Sequence, residues 1–331
     1  MTILLSAAPL VAGSSASLVL EPSEVVAGTP ASLRLTISND GDADIVVPER
    51  LLLRVIPATA SAFVAEWGGG QEHRFSNAVL PTDDRRIPAH STRDFLFPAY
   101  ALDESAGWFW DPRLNAPGTY RLQVLFVDRY NEDDVFHTRA FDLERTLPVR
   151  LVSSESVLKI DVPRGADAAI WTRMLEMARE QGSQMWSPLY RLGRGWREYV
   201  NDVVENHPES AYAPFVVGRY SERSATERYS AEERLKKIRR VLDLHPATPA
   251  HERIELLLAG VEVQAAQEAE SVLHRDVNRA TQFYERARAD YQNLAKTAAD
   301  PKIRQLSREW LDRIPTSEDL RRGDGPPDGE R

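Results

Sequence analysis

Residues 205–220 read ENHPESAYAPFVVGRY, and residues 242–260 read LDLHPATPAHERIELLLAG. In both, an apolar stripe with spacings of three and four stops at His-Pro, and a second stripe opens a few residues later. Proline has no N–H to donate and its ring clashes with the preceding turn, so Pro208 and Pro246 end the first helix of each pair. A nearby Ser or Thr then supplies an oxygen for the free N–H groups of the next helix. Ser210 is expected to start the helix after Pro208. Thr248-Pro249 reads as an N-cap followed by proline at the first helical position.

Working outward, the same texture fills the back half of the chain. In DAAIWTRMLEMAREQ, Ile170, Trp171, Met174, Leu175 and Ala178 form one stripe, with Asp167 placed to cap it. Trp196, Tyr199, Val200, Val203 and Val204 form the stripe that ends at His207-Pro208. Ser230 and Glu233 make an S-x-x-E capping box before Leu235, Ile238 and Leu242. Ile254, Leu257, Leu258 and Val261 follow the second His-Pro, and Phe283, Tyr284, Ala287, Tyr291 and Leu294 lead to Asp300-Pro301. The last stripe is Ile303, Leu306, Trp310, Leu311 and Ile314. Three prolines, 38 and 55 residues apart, thus predict three helical hairpins.

The front half has a different period. In ASLRLTISN, Leu33, Leu35 and Ile37 alternate with Ser32, Arg34 and Thr36, the pattern of a half-buried antiparallel strand. The runs SLVLEP, RLLLRVIPA, SAFVAEW, TRDFLFPAY, GTYRLQVLFVD, AFDLERTLPVRLV and SVLKIDVP are rich in branched and aromatic residues. Gly28 and Pro30 mark EVVAGTPA as a turn, and WGGG, NAPG and DRYNEDD break the chain further on. Short strands at such spacing predict a two-sheet sandwich. The fold class expected is therefore a multidomain β + α protein: residues 17–163 an antiparallel β-sandwich, residues 164–316 an all-α hairpin domain, and residues 317–331 a disordered tail rich in Pro, Gly and charge.

The segment order, from LEPSEVVAGTPASLRLTISN through APGTYRLQVLFVD to SSESVLKIDVP, resembles bacterial immunoglobulin-like domains over residues 17–163. Pro117-Gly118-Thr119-Tyr120 carries most of that likeness, while the Cys pair of the antibody type is absent. ENHPESAYAPFVVG resembles the helix-turn-helix of bacterial tetratricopeptide-like envelope proteins, with Ser210, Ala211, Tyr212 and Ala213 at the places of its S-x-Y-A element. That resemblance is best over residues 199–220 and thinner over 194–314, and an irregular helical bundle is its alternative. Together the two resemblances imply a non-enzymatic binding or scaffold protein with a protein or peptide partner and no cofactor.

Charge limits the partners. Residues 17–163 carry 22 Asp+Glu against 14 Lys+Arg, a net −8, whereas residues 164–331 are nearly balanced at −1. Phosphate binding needs a clustered basic face, so nucleic acid is not expected. No Cys is present, which excludes disulfides, thiolate metal sites and a Cys nucleophile. Residues 1–16 read as a signal peptide or truncated leader: an apolar run from Ile3 to Val11, then Ser14 and Ala16 as small residues before a cleavage point, without the positive start. An exported protein of the periplasm or exterior is expected, with no membrane span in its mature part.

Site candidates are few. Asp128, Asp133 and Asp134 lie with Asn131 and Glu132 in an oxygen-rich loop that calcium could use, but the EF-hand spacing is missing and a solvated hairpin tip is the favoured reading. Trp108 and Trp110, with Asp111, could stack on and bind a sugar ring, but core packing or a loop folded over the sheet edge is the favoured reading. A carbohydrate or envelope-polymer ligand is the second functional expectation. The third is a protease inhibitor that inserts WGGGQEHRF or ESAGWFW into a cleft. The seven histidines form no HExxH, and His207 and His245 read as helix-end caps that suit the dipole. No elbow G-x-S-x-G and no phosphate loop occurs, so no catalytic residue is assigned.

Overall fold

A computed structural model describes residues 13–48, 50–57, 63–67, 85–97, 116–127, 149–180, 196–221, 229–271 and 276–316. The chain divides into two compact units, Met1–Pro163 with Gln184–Tyr190, and Arg164–Ser183 with Arg191–Arg331. The first is built of strands and the second of helices.

Strands of the first unit are β1 (Ser14–Glu21), β2 (Glu24–Val26), β3 (Ser32–Asn39), β4 (Ile45–Val46), β5 (Arg50–Pro57), β6 (Phe63–Trp67), β7 (Arg86–Ile87), β8 (Ser91–Phe97), β9 (Gly118–Val127), β10 (Val149–Val152) and β11 (Ser156–Asp161). Each run that alternates in the sequence holds one of them. β2, β4 and β7 are additions, too short to show a period. β2 sits inside EVVAGTPA, where only a turn is expected; the turn follows it, at Gly28, whose φ of +89° a residue with a Cβ rarely adopts. The first strand also starts at Ser14, so Ser14 and Ala16 pair with Asn39 and Ile37.

β1, β3 and β8 form one antiparallel sheet. Register sets Leu18 opposite Leu35 and Leu35 opposite Phe95, and these three are buried with Leu20, Leu33 and Ile37. The other face is polar and paired across strands: Arg34 Nε lies 3.2 Å from Glu21 Oε1, Thr36 Oγ1 donates to Asp94 Oδ1 at 2.7 Å, and the Ser38 and Thr92 hydroxyls are 3.1 Å apart. At the end of β3 the fully buried Asn39 amide donates to the carbonyls of Ala43, Ile87 and Pro88 and accepts from Gly41 N–H. A buried amide must be satisfied, and this one fastens the β3–β4 loop to the residues that follow β7.

The larger sheet runs β2-β11-β9-β5-β6, with β10 also on β9. Its pairs are antiparallel except β2–β11, which is parallel with Val25 beside Ile160. β5 and β9 are buried on both faces, from Leu51 to Ile56 and from Val124 to Val127. Arg54 lies in that layer and donates to Gln123 on the neighbouring strand. Between β10 and β11, Ser153 replaces a ladder residue: its N–H donates to Val124 O and its hydroxyl accepts from Val124 N, both at 2.9 Å. Tyr120, near the start of β9, donates its hydroxyl to Ala116 O at 2.7 Å and so holds the turn before its own strand.

Helices of the second unit are α1 (Ala166–Glu180), α2 (Trp196–Asn206), α3 (Ala213–Ser221), α4 (Ala231–Leu244), α5 (His251–Glu270), α6 (Val277–Thr297) and α7 (Pro301–Leu311). Two of the stripes read from the sequence are buried faces: Tyr199, Val200, Val203 and Val204 on α2, and Phe283, Tyr284, Ala287, Tyr291 and Leu294 on α6; Leu242, Leu257, Leu306 and Leu311 of the other stripes are half-buried. Ser230 and Glu233 form both halves of the capping box, and Asp300 caps α7 through Lys302 N at 2.8 Å. Three starts differ from expectation. α3 begins at Ala213, three residues after Ser210; α5 begins at His251, because Thr248 Oγ1 holds Ala250 N in the turn before it; Asp167 lies within the first turn of α1. Trp310 is 42% exposed, not buried in its stripe, and stacks on Tyr291.

Candidate functional site

The polar groups of the helical unit gather where one helix hands over to the next. After α2 the chain turns through His207-Pro208, and after α4 through His245-Pro246. His245, the C-cap of α4, places Nε2 2.9 Å from the Pro208 carbonyl, so the second turn hydrogen-bonds to the first. The sequence pattern points to a dipole cap at His245 and not to this tie. The spacing that could have found it is the repeat of His-Pro itself.

Further ties have the same form. Glu252, in the first turn of α5, accepts from Ala299 N at 2.6 Å and Asp300 N at 3.2 Å, where α6 passes to α7. Asp167 accepts from the Ser210 hydroxyl at 2.6 Å and Ala211 N at 3.2 Å, where α2 passes to α3. Each carboxylate thus receives backbone N–H groups that no helix satisfies, from a different helix pair. Burial pushes the Asp300 carboxyl above the usual carboxylate range, and the Lys302 N–H bond works against that shift. α5 and α6 are antiparallel, as are α4 and α5, since Glu268 near the end of α5 accepts from Ala231 N at the start of α4.

Arg234 of α4 is 1% exposed and donates to the Ser221 carbonyl at the end of α3 and to Gln264 Oε1 of α5, both at 2.8 Å. Beside it Glu205 accepts from the Tyr220 hydroxyl at 3.3 Å and the Tyr229 hydroxyl at 3.0 Å. Burial first, and Glu205 second, push the Tyr220 phenol above its ordinary range. Tyr199, Tyr212, Tyr284 and Tyr291 are pushed the same way by burial, so all five phenols are neutral at neutral pH.

The residues singled out in the sequence are not brought together here. Trp108, Trp110 and Asp111 lie outside the described residues, as do Asp128, Asp133 and Asp134 and the two loops WGGGQEHRF and ESAGWFW. Among the described residues no group of three His, Cys, Asp or Glu side chains could hold a metal ion. Likewise no described helix is long and apolar enough to cross a membrane. His207 lies 3.9 Å from Glu209 and His251 3.4 Å from Glu255, each beside one carboxylate.

No protein-family model matches the chain. No curated protein matches it. Among solved structures, a β-glucosidase from Listeria innocua in complex with gluconolactone is 17% identical over 44% of this chain and 16% of its own length, with a TM-score of 0.21.

Proposed function

We propose that the protein is a non-enzymatic binding scaffold: an immunoglobulin-like sandwich followed by tetratricopeptide-like helical hairpins that engage a protein or peptide partner. The observation that carries this reading is the turn-to-turn linkage of successive helix pairs, His245 to Pro208 and Glu252 to Ala299 and Asp300. Units that bond to their neighbours at equivalent points form stacks, and stacked hairpins offer an extended surface to a polypeptide.

The immunoglobulin-like part of the proposal draws on strand order. β1-β3-β8 in one sheet and β11-β9-β5 in the other correspond to strands A-B-E and G-F-C of that fold. Tyr120 bonding back to Ala116 has the form of its tyrosine corner. Export to the bacterial envelope belongs to the same proposal and rests on the apolar run Ile3–Val11; fractionation of cells that make the full chain tests it, and recovery in the cytosol alone sinks it.

The binding test is site-specific photo-crosslinking in the full chain. A reactive group is placed at exposed helix positions Lys236, Arg279 and Glu309, and at exposed strand positions Val19 and Val157. The expected result is a saturable adduct with a polypeptide from helix positions. Adducts from strand positions alone move the binding surface to the β unit, and no adduct from any position removes the reading.

A further inference from the structure

One buried group takes no part in these turn ties. Glu262, in the middle of α5, is fully buried. One of its oxygens, Oε1, pairs with Arg239 of α4. The other, Oε2, is buried with no N–H or O–H donor among the described residues, and a second acid, Asp290 of α6, lies beside the carboxyl. The charged groups that act on Glu262 are Arg239 from α4 and Asp290 and Arg286 from α6. None comes from α3 or α7, which also pack on α5, among the described residues.

Two carboxylates side by side, Glu262 fully buried and Asp290 partly so, repel each other and lose solvation, so one of them holds a proton. A carboxylic acid donates to a carboxylate, which satisfies the oxygen that otherwise has no donor. We propose that Glu262 and Asp290 share one proton at the junction of α4, α5 and α6, and that losing it as pH rises through neutrality loosens the packing of these helices.

The sign follows from burial. Glu262 is pushed up to about 7 from 4.5 by burial first and by Asp290 next, with Arg239 and Arg286 pulling it down. Asp290 is also raised, by burial. The folded unit therefore binds more protons than the unfolded chain between those two values, so stability falls as pH rises across that window. Acidification tightens the helices and neutral to alkaline pH loosens them, the reverse of the usual salt-bridged acid.

The test is hydrogen exchange followed by mass spectrometry on the full chain at about pH 5 and about pH 8, corrected for intrinsic exchange. Protection of peptides from α5 and α6 is expected to fall by about tenfold or more at the higher pH, with β3 and β9 unchanged. Glu262→Gln, which has the shape of the protonated acid, is expected to abolish that fall, and Asp290→Asn to remove most of it. An infrared titration of the wild-type chain covers the case in which the variants do not fold: a protonated-carboxyl band that disappears near neutrality is expected, and it is absent in any Glu262→Gln protein that folds. Protection that is flat with pH, a fall that persists in Glu262→Gln, or no such band overturns the proposal.

Discussion

The three-stranded sheet and the helical unit handle charge in opposite ways. In the three-stranded sheet of the β unit, the ion pair and hydroxyl pairs stand on the outer face while Leu18, Leu35 and Phe95 fill the inner one. In the helical unit Arg234 and Glu262 sit inside, each reaching across to other helices. That sheet is specified by apolar register, where a one-residue slip would turn every Leu outward. The helices are specified in part by buried polar groups whose partners lie on other helices. An inside-out exchange of roles separates the three-stranded sheet from the helices.

The most damaging way to probe that contrast is Arg234→Ala. It leaves a cavity and two acceptors, the Ser221 carbonyl and Gln264, without this donor, and about 3–5 kcal/mol of stability should go, read as an earlier denaturation midpoint of the helical signal. Next comes Leu35→Ala in the centre of the three-stranded sheet, where side chain and cavity together should cost about 3 kcal/mol, read by the same denaturation with a strand signal. If the two midpoints move together for either variant, the units do not unfold separately and the contrast is one of composition only. Ser230→Ala removes one half of the capping box on α4 and should cost about 1 kcal/mol, visible as a small loss of helical midpoint. Smallest is the half-exposed pair on the sheet's outer face. A double-mutant cycle on Arg34→Ala and Glu21→Ala should return about 0.5 kcal/mol, shrinking in high salt; a much larger coupling would mean that surface charge holds the sheet after all.

Much of this division can be read from period alone. Alternation in ASLRLTISN gives β3, and stripes at three and four give α2 and α6, because one face of each element meets a core. What cannot be read is pairing at a distance. β2 is three residues long and finds its partner β11 about 135 residues later, as the distance from Glu24 to Lys159 shows. Helix starts fail for a local reason: Thr248 and Ser210 bond within the turn and delay the helix. The turn ties were half visible, since two His-Pro turns imply equivalent positions, but the imidazole's partner comes from the other turn. Glu262 carried a signal that composition hides: it stands between Leu258 and Ala266 at intervals of four, a charged residue within a buried stripe. Its partners Arg239 and Asp290 each lie next to a stripe residue, Ile238 and Tyr291, and only the packing shows that they meet.

The parallel pairing of β2 with β11 imposes an order of events on the ribosome. A helix pair has both partners soon after it emerges, whereas Glu24–Val26 must wait until Lys159–Asp161 has left the exit tunnel. At ordinary elongation rates that wait is roughly seven to thirty seconds, during which Val25 lacks its partner strand. The nascent chain thus completes its larger sheet only after its last strand has emerged.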